Sequence, residues 1–155
     1  MNTNTIFKLT PLMKATRDND CFTVNKILTR RNNDYGVNEK DDAGYTALRY
    51  AIWSNNEQII NLLLDHGAQL NDSVQDFEPI LLYCIRKKYY GVVKLLIQKN
   101  VIHNINVLNV KKQNALMLSL INKNFELYDL LVEYGCNCNQ TDIDGFDVST
   151  YYVEN

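Results

Sequence analysis

The 155-residue chain is predicted to be an all-α repeat. We read a solenoid of about four helix-turn-helix units joined by β-turn or hairpin connectors, with a partial fifth unit. Three observations predict it. One pattern recurs: Thr10, Thr46, Pro79 and Asn114 open successive units at spacings of 36, 33 and 35 residues. Periods of that size mark stacked repeats rather than one closed core. Each unit holds two short apolar runs at helical spacing, separated by a polar turn. The second run ends on a stop residue, as at Gly67 and Gly135, where helices commonly terminate. Helices this short cannot bury enough apolar surface singly, so each unit requires neighbours.

Residues 1–9 read as a lead-in, and the whole of 1–155 as a single repeat domain. The first unit, about 10–38, opens on Thr10-Pro11-Leu12 and continues through Ala15, Val24, Ile27 and Leu28. Its Lys8, Lys14, Asn25, Lys26 and Arg30 suit an end unit, whose outer face meets water. Residues 32–35 read as an insertion. In the second unit, 39–71, Thr46 is a good helix N-cap ahead of Ala47, Leu48, Ala51 and Ile52. Asn55-Asn56 breaks the run, and Ile59, Ile60, Leu62, Leu63 and Leu64 make a second helix apolar almost all round. Such a helix must be covered on more than one side.

The third unit, 72–106, places Leu81, Cys84, Val92, Val93, Leu95, Leu96 and Ile97 on the same register, then a short insertion at 101–104. The fourth, 107–139, repeats it with Leu116, Ser119, Leu127, Tyr128, Leu130, Leu131 and Val132. Connectors precede the later openings: Asn38-x-x-Asp41-x-x-Gly44, Asn71 to Phe77, Asn106-x-x-Asn109 and Asn139-x-x-Asp142-x-x-Gly145. The stub at 140–155 is too short for a helix pair. It is expected to cover only part of the last helix, 125–134, and to leave an apolar strip around Phe146, Tyr151 and Tyr152.

The net charge of −2 gives no global attraction to nucleic acid, so no nucleic-acid partner is expected. No apolar run approaches the roughly 20 residues that span a bilayer, so no membrane partner is expected either. The N-terminus is too polar for a secretory signal, and the chain is read as cytoplasmic or nuclear. Cys21, Cys84, Cys136 and Cys138 read as free structural thiols, since a Cys-x-Cys pair without two further ligands makes no zinc site. The two histidines, His66 and His103, form no ligand pattern, and no phosphate loop or nucleophile elbow occurs. Catalytic residues, cofactors and metals are therefore expected to be none, and the chain is not read as an enzyme.

Thr10-Pro11-Leu12, Thr46-Ala47-Leu48, the run Leu62 to Asn71, Leu130-Leu131-Val132-Glu133-Tyr134-Gly135 and Asp142-Ile143-Asp144-Gly145 resemble the ankyrin repeat family over roughly residues 9 to 150. The third unit diverges, with Pro79 in the threonine place and Asn100 in the glycine place. Met13, Arg49, Leu82 and Met117 stand where the family carries histidine.

The resemblance implies a module that binds another protein through connector tips and the open face of each first helix. Carried over by position, the tips are Asp42, Ala43, Tyr45; Gln75, Asp76, Glu78; Val110, Lys111, Gln113; and Ile143, Asp144, Phe146. The helix positions are Arg17, Asp18, Trp53, Ser54, Arg86, Lys87, Ile121 and Asn122, with Tyr50 and Tyr83 one turn earlier. Trp53 is the only tryptophan, and Trp, Tyr and Arg carry most interface energy. It is expected on the open face beside Tyr45 and Tyr50; packing between units is the alternative. Asn71 resembles the asparagine that asparaginyl hydroxylases modify in such repeats. The role implied is inhibitor or adaptor. Short ankyrin-only chains of AT-rich genomes resemble those of large DNA viruses and intracellular pathogens, which act on host signalling in the manner of NF-κB inhibitors. A monomer is expected. Self-association through the incompletely capped C-terminal end, as a structural subunit or weak dimer, is the competing reading.

Overall fold

In the computed structural model, residues 9–30, 36–70 and 78–153 are described. They hold nine helices, and the one bridge between extended residues pairs Thr141 with Asp147. The chain falls into two compact units, 1–75 and 76–155.

The first unit contains α1 (Pro11–Arg17), α2 (Cys21–Leu28), α3 (Ala47–Trp53) and α4 (Glu57–Asp65). Each helix begins where a side chain satisfies a backbone N–H that the helix leaves free. Thr10 and Thr46 accept from the amides of Met13 and Arg49, and Asp20 and Asn56 from those of Thr23 and Ile59. The turns within the hairpins pass through left-handed backbone at Asn19 and Asn55 (φ 56° and 53°), which asparagine tolerates better than most residues. Gly67 ends α4 at φ 83°. α1 packs on α2 and α3, α2 on α4, and α3 on α4, so the two hairpins stack first helix to first helix and second to second. Leu12, Met13, Val24, Leu48, Ile52, Ile60 and Leu63 are buried. Asn25 and Lys26 of α2, and Thr29 and Arg30 just after it, are exposed, as an end unit requires; Phe22 is exposed with them.

The second unit contains α5 (Ile80–Arg86), α6 (Tyr90–Gln98), α7 (Ala115–Ile121), α8 (Phe125–Glu133) and α9 (Val148–Val153). α5 packs on α6 and α7, and α7 on α8 and α9. Asn114 and Asn124 cap α7 and α8. Pro79 and Tyr89, which precede α5 and α6, supply no capping side chain. Proline instead fixes φ at the helix start, where its missing N–H costs nothing. Asn100 takes the stop position of Gly67 and Gly135 at φ 53°.

The C-terminal segment supplies the expected partial fifth unit and departs from expectation at one residue, Tyr151. α9 lies on α7, in the place of the first helix of a further unit. Tyr152 covers part of α8, with its ring 6.0 Å from those of Phe125 and Tyr128. Tyr151 is turned inward and half-buried, so it does not belong to the expected exposed strip; Phe146 and Tyr152 remain exposed. The reason is polar. The Tyr151 hydroxyl donates to Asp142 Oδ2 at 2.5 Å and lies 3.0 Å from Gln113 Nε2, which donates to it.

Candidate functional site

Three connectors are built alike. Asp41, Asn109 and Asp142 each accept two amides through Oδ1: those of Ala43 and Tyr45, Lys111 and Gln113, and Asp144 and Phe146, all at 2.9 Å. The backbone then closes on itself, Asp41 N to Tyr45 O and its two counterparts. The next-to-last residue of each turn adopts left-handed backbone: Gly44, Lys112 and Gly145. This geometry points the residue after each Asp or Asn outward. Asp42, Val110 and Ile143 are all exposed.

In the first unit three of the expected contact residues form one cluster. Tyr45, Tyr50 and Trp53 meet edge to face, with ring centroids 4.8 Å (Tyr45–Trp53), 5.6 Å (Tyr50–Trp53) and 6.3 Å (Tyr45–Tyr50) apart. Edge-to-face pairs of this kind add to burial and fix ring orientation. All three are half-buried, which lies between the two alternatives for Trp53. Arg49 was missed as a member. It is buried, and its guanidinium sits 5.9 Å from the Tyr45 ring and 5.8 Å from the Trp53 ring. An arginine in an otherwise apolar register was the available signal. The Tyr50 hydroxyl donates to Asp41 Oδ2 at 2.6 Å; burial raises its pKa, and the carboxylate adds to that. Ser54 is exposed at the end of α3 with its hydroxyl on the Tyr50 carbonyl, and Ala43 is half-buried. Arg17 and Asp18 are exposed and pair with each other.

In the second unit, Arg86 grips Glu78, with Nη2 to Oε2 at 2.8 Å, and the guanidinium lies 5.6 Å from the Tyr83 ring. That pair occupies Arg86, while Lys87 and Lys88 beside it are exposed. The Glu78 hydrogen bond raises the Arg86 pKa, and burial raises that of Tyr83. Asn122 is half-buried and spends its amide on the Ile85 carbonyl, tying α7 to α5. Gln113 is likewise engaged, with Asn109 and Tyr151. Ile121, Ile143, Asp144 and Phe146 are exposed. Glu78, Arg86, Val110, Lys111 and Gln113 line a groove of about 660 Å³ with Pro79, Leu108, Asn109 and Leu118. Leu108 was missed, because nothing in sequence marks a leucine left partly in water. Gln75, Asp76 and Asn71 lie outside the described residues.

Among the described residues no cluster of His, Cys, Asp or Glu could hold a metal ion. The four cysteines are free. Cys136 is buried, which pushes its thiol pKa up and makes it less reactive, while Cys138 is exposed. No described helix is long and apolar enough to cross a membrane.

Residues 1–74 and 72–142 match the family model described as ankyrin repeats in three copies. A fowlpox virus protein named as an ankyrin repeat protein is 30% identical over 132 residues, covering 85% of this chain and 30% of its own length. A similarly named mimivirus protein is 24% identical over 143 residues, covering 92% of this chain and 18% of its own. The chain thus spans less than a third of either relative. An ankyrin repeat domain from Acinetobacter baumannii superposes with a TM-score of 0.74 at 21% identity, over 92% of this chain and 70% of that one.

Proposed function

Because the chain belongs to the ankyrin repeat family, whose repeats generally serve protein–protein interaction, we propose that it is a non-catalytic module. It binds one partner protein through its connector tips and first helices and acts as an inhibitor or adaptor. The observation that carries this is the Tyr45–Tyr50–Trp53 cluster, half-open beside an exposed connector tip. Rings already locked against one another lose little entropy when a partner covers them, which favours binding. The likeness to poxviral and mimiviral proteins supports a setting in which the bound partner is a host protein and binding alters its signalling.

The test is affinity capture from extract of the native source, comparing wild type with Trp53→Ala plus Tyr45→Ala. Circular dichroism confirms that the variant stays folded. Aromatic anchors at interface centres contribute about 2 kcal/mol or more each, so removing both should weaken binding by up to about a thousandfold and abolish partner recovery. Equal recovery by a folded variant contradicts the proposal.

A second reading, self-association through the C-terminal face, is favoured by the exposure of Phe125, Phe146 and Tyr152. A concentration-dependent dimer in sedimentation, abolished by Tyr152→Asp, supports it; a monomer at all concentrations removes it.

A further inference from the structure

The fold does not require the second unit's connector tips to be apolar. In the second unit's connectors the turn is held by backbone groups and by Asn109 and Asp142 oxygens, and the aliphatic tip side chains of Val110 and Ile143 have no polar atom to contribute. The first unit uses Asp42 at this place, whereas the second uses Val110, 94% exposed, and Ile143, 62% exposed. The two tips are adjacent, since the Ile143 amide donates to the Lys111 carbonyl at 2.9 Å. Below Val110, Leu108 and Leu118 line the groove of about 660 Å³. That volume is within the roughly 300–1,000 Å³ range of clefts that take a drug-sized ligand. Apolar side chains held in water beside such a groove mark a contact surface.

Charge narrows the occupant. Glu78, the one acidic side chain among the described residues that line the groove, is bound by Arg86 through Nε and Nη2. Lys111 lines the same groove with Lys112 next to it, and neither takes part in the ion pairs among the described residues. Asp144, which follows Ile143 on the neighbouring tip, is exposed and forms none of the ion pairs among the described residues.

We propose that this groove takes a partner peptide whose bulky apolar side chains seat against Val110, Leu108 and Leu118 while adjoining carboxylates meet Lys111 and Lys112. The proposal rests on the protein-binding reading and names the partner chemistry for one of its surfaces. Complementary rim charge governs encounter and specificity, and it is weakened by salt.

The experiment pans a phage-displayed library of random peptides on the full chain, then measures selected peptides by fluorescence polarisation. Enriched sequences should pair bulky apolar residues with Asp or Glu and lose affinity as salt rises. Val110→Asp, at a side chain in water, should fold normally and weaken them by about tenfold or more. Panning on Lys111→Glu plus Lys112→Glu should erase the acidic preference. No enrichment, no acidic bias, or affinity unchanged by Val110→Asp overturns the proposal. So does tighter uptake of a labelled single-stranded oligonucleotide, or a dimer that Val110→Asp dissolves. Peptides lost with Trp53→Ala plus Tyr45→Ala but indifferent to Val110→Asp would remove the groove and leave the wider reading intact.

Discussion

The Tyr50 hydroxyl donates to Asp41 Oδ2 at 2.6 Å, and nine residues separate the two. Tyr151 and Asp142 repeat the same spacing and contact at 2.5 Å. In both places the phenol reaches from a first helix to the carboxylate whose other oxygen organises the preceding connector. The bond therefore fixes a helix to its own turn. Tyr50→Phe and Tyr151→Phe keep the ring and remove the donor, and each should lower stability by about 1 kcal/mol in urea unfolding. Tyr151→Phe should also speed hydrogen exchange of α9 amides while leaving α1 to α4 unchanged.

Acid should loosen the same C-terminal contact. The Tyr151 hydroxyl, helped by backbone amides, holds the Asp142 carboxyl below its usual pKa, with desolvation opposing. Hydrogen bonds from Ser149 and Thr150 do the same for Asp147. A depressed folded pKa adds stability that is present above the unfolded value, about 4, and is lost as pH falls through the folded one. Exchange of α9 should accelerate as pH is lowered from about 5 to 3, after correction for intrinsic rates. Asp142→Asn should flatten that dependence. The tyrosines act at the other end: burial raises the pKa values of Tyr50, Tyr83, Tyr128 and Tyr151. Their contribution is present below about pH 10 and lost as pH rises beyond it.

Backbone strain can be moved in both directions. A methyl at Gly67 would meet no atom within 4 Å, yet the backbone there has φ 83°. Gly67→Ala should therefore cost about 1 kcal/mol from conformation alone. Lys88 stands exposed at φ 62° in the turn between α5 and α6. Lys88→Gly relieves about 1–2 kcal/mol of left-handed strain and adds unfolded-state entropy of about 0.5–1 kcal/mol. The net expectation is a slightly raised melting temperature; a drop would show that the lysine side chain holds the turn.

Thr16 offers a test in the core. Its side chain is fully buried, and Oγ1 has no hydrogen-bond partner among the described residues. Burying an unpaired hydroxyl costs roughly 1–3 kcal/mol. Thr16→Val, which keeps the shape, should leave stability unchanged or raise it by about 1 kcal/mol. Destabilisation would reveal a partner for the hydroxyl.

Much of this architecture was legible because single residues announce their backbone. Thr10, Thr46 and Asn114 cap the helices they precede, and Gly67 and Gly135 stop them. Lys88, Lys112 and Lys123 were silent, since lysine carries no preference for the left-handed backbone that the repeat imposes on it. The placing of α9 turned on a hydrogen bond from Gln113 to Tyr151, residues far apart in sequence, so no local pattern reported it. The aromatic cluster was foreseeable because Tyr45, Tyr50 and Trp53 share one turn and one helix face. The groove was not, because its walls come from the start of one hairpin, Glu78 to Arg86, and from the connector before the next.

Photocrosslinking tests the central claim most directly. Benzoylphenylalanine is placed at exposed Asp42, on the connector tip beside the aromatic cluster, or at exposed Gln58, on the second helix of the same hairpin. In extract of the native source, the account predicts a protein adduct from position 42 that excess unlabelled chain competes away, and none from position 58. Equal adducts from both positions, or adducts from position 58 alone, would contradict it.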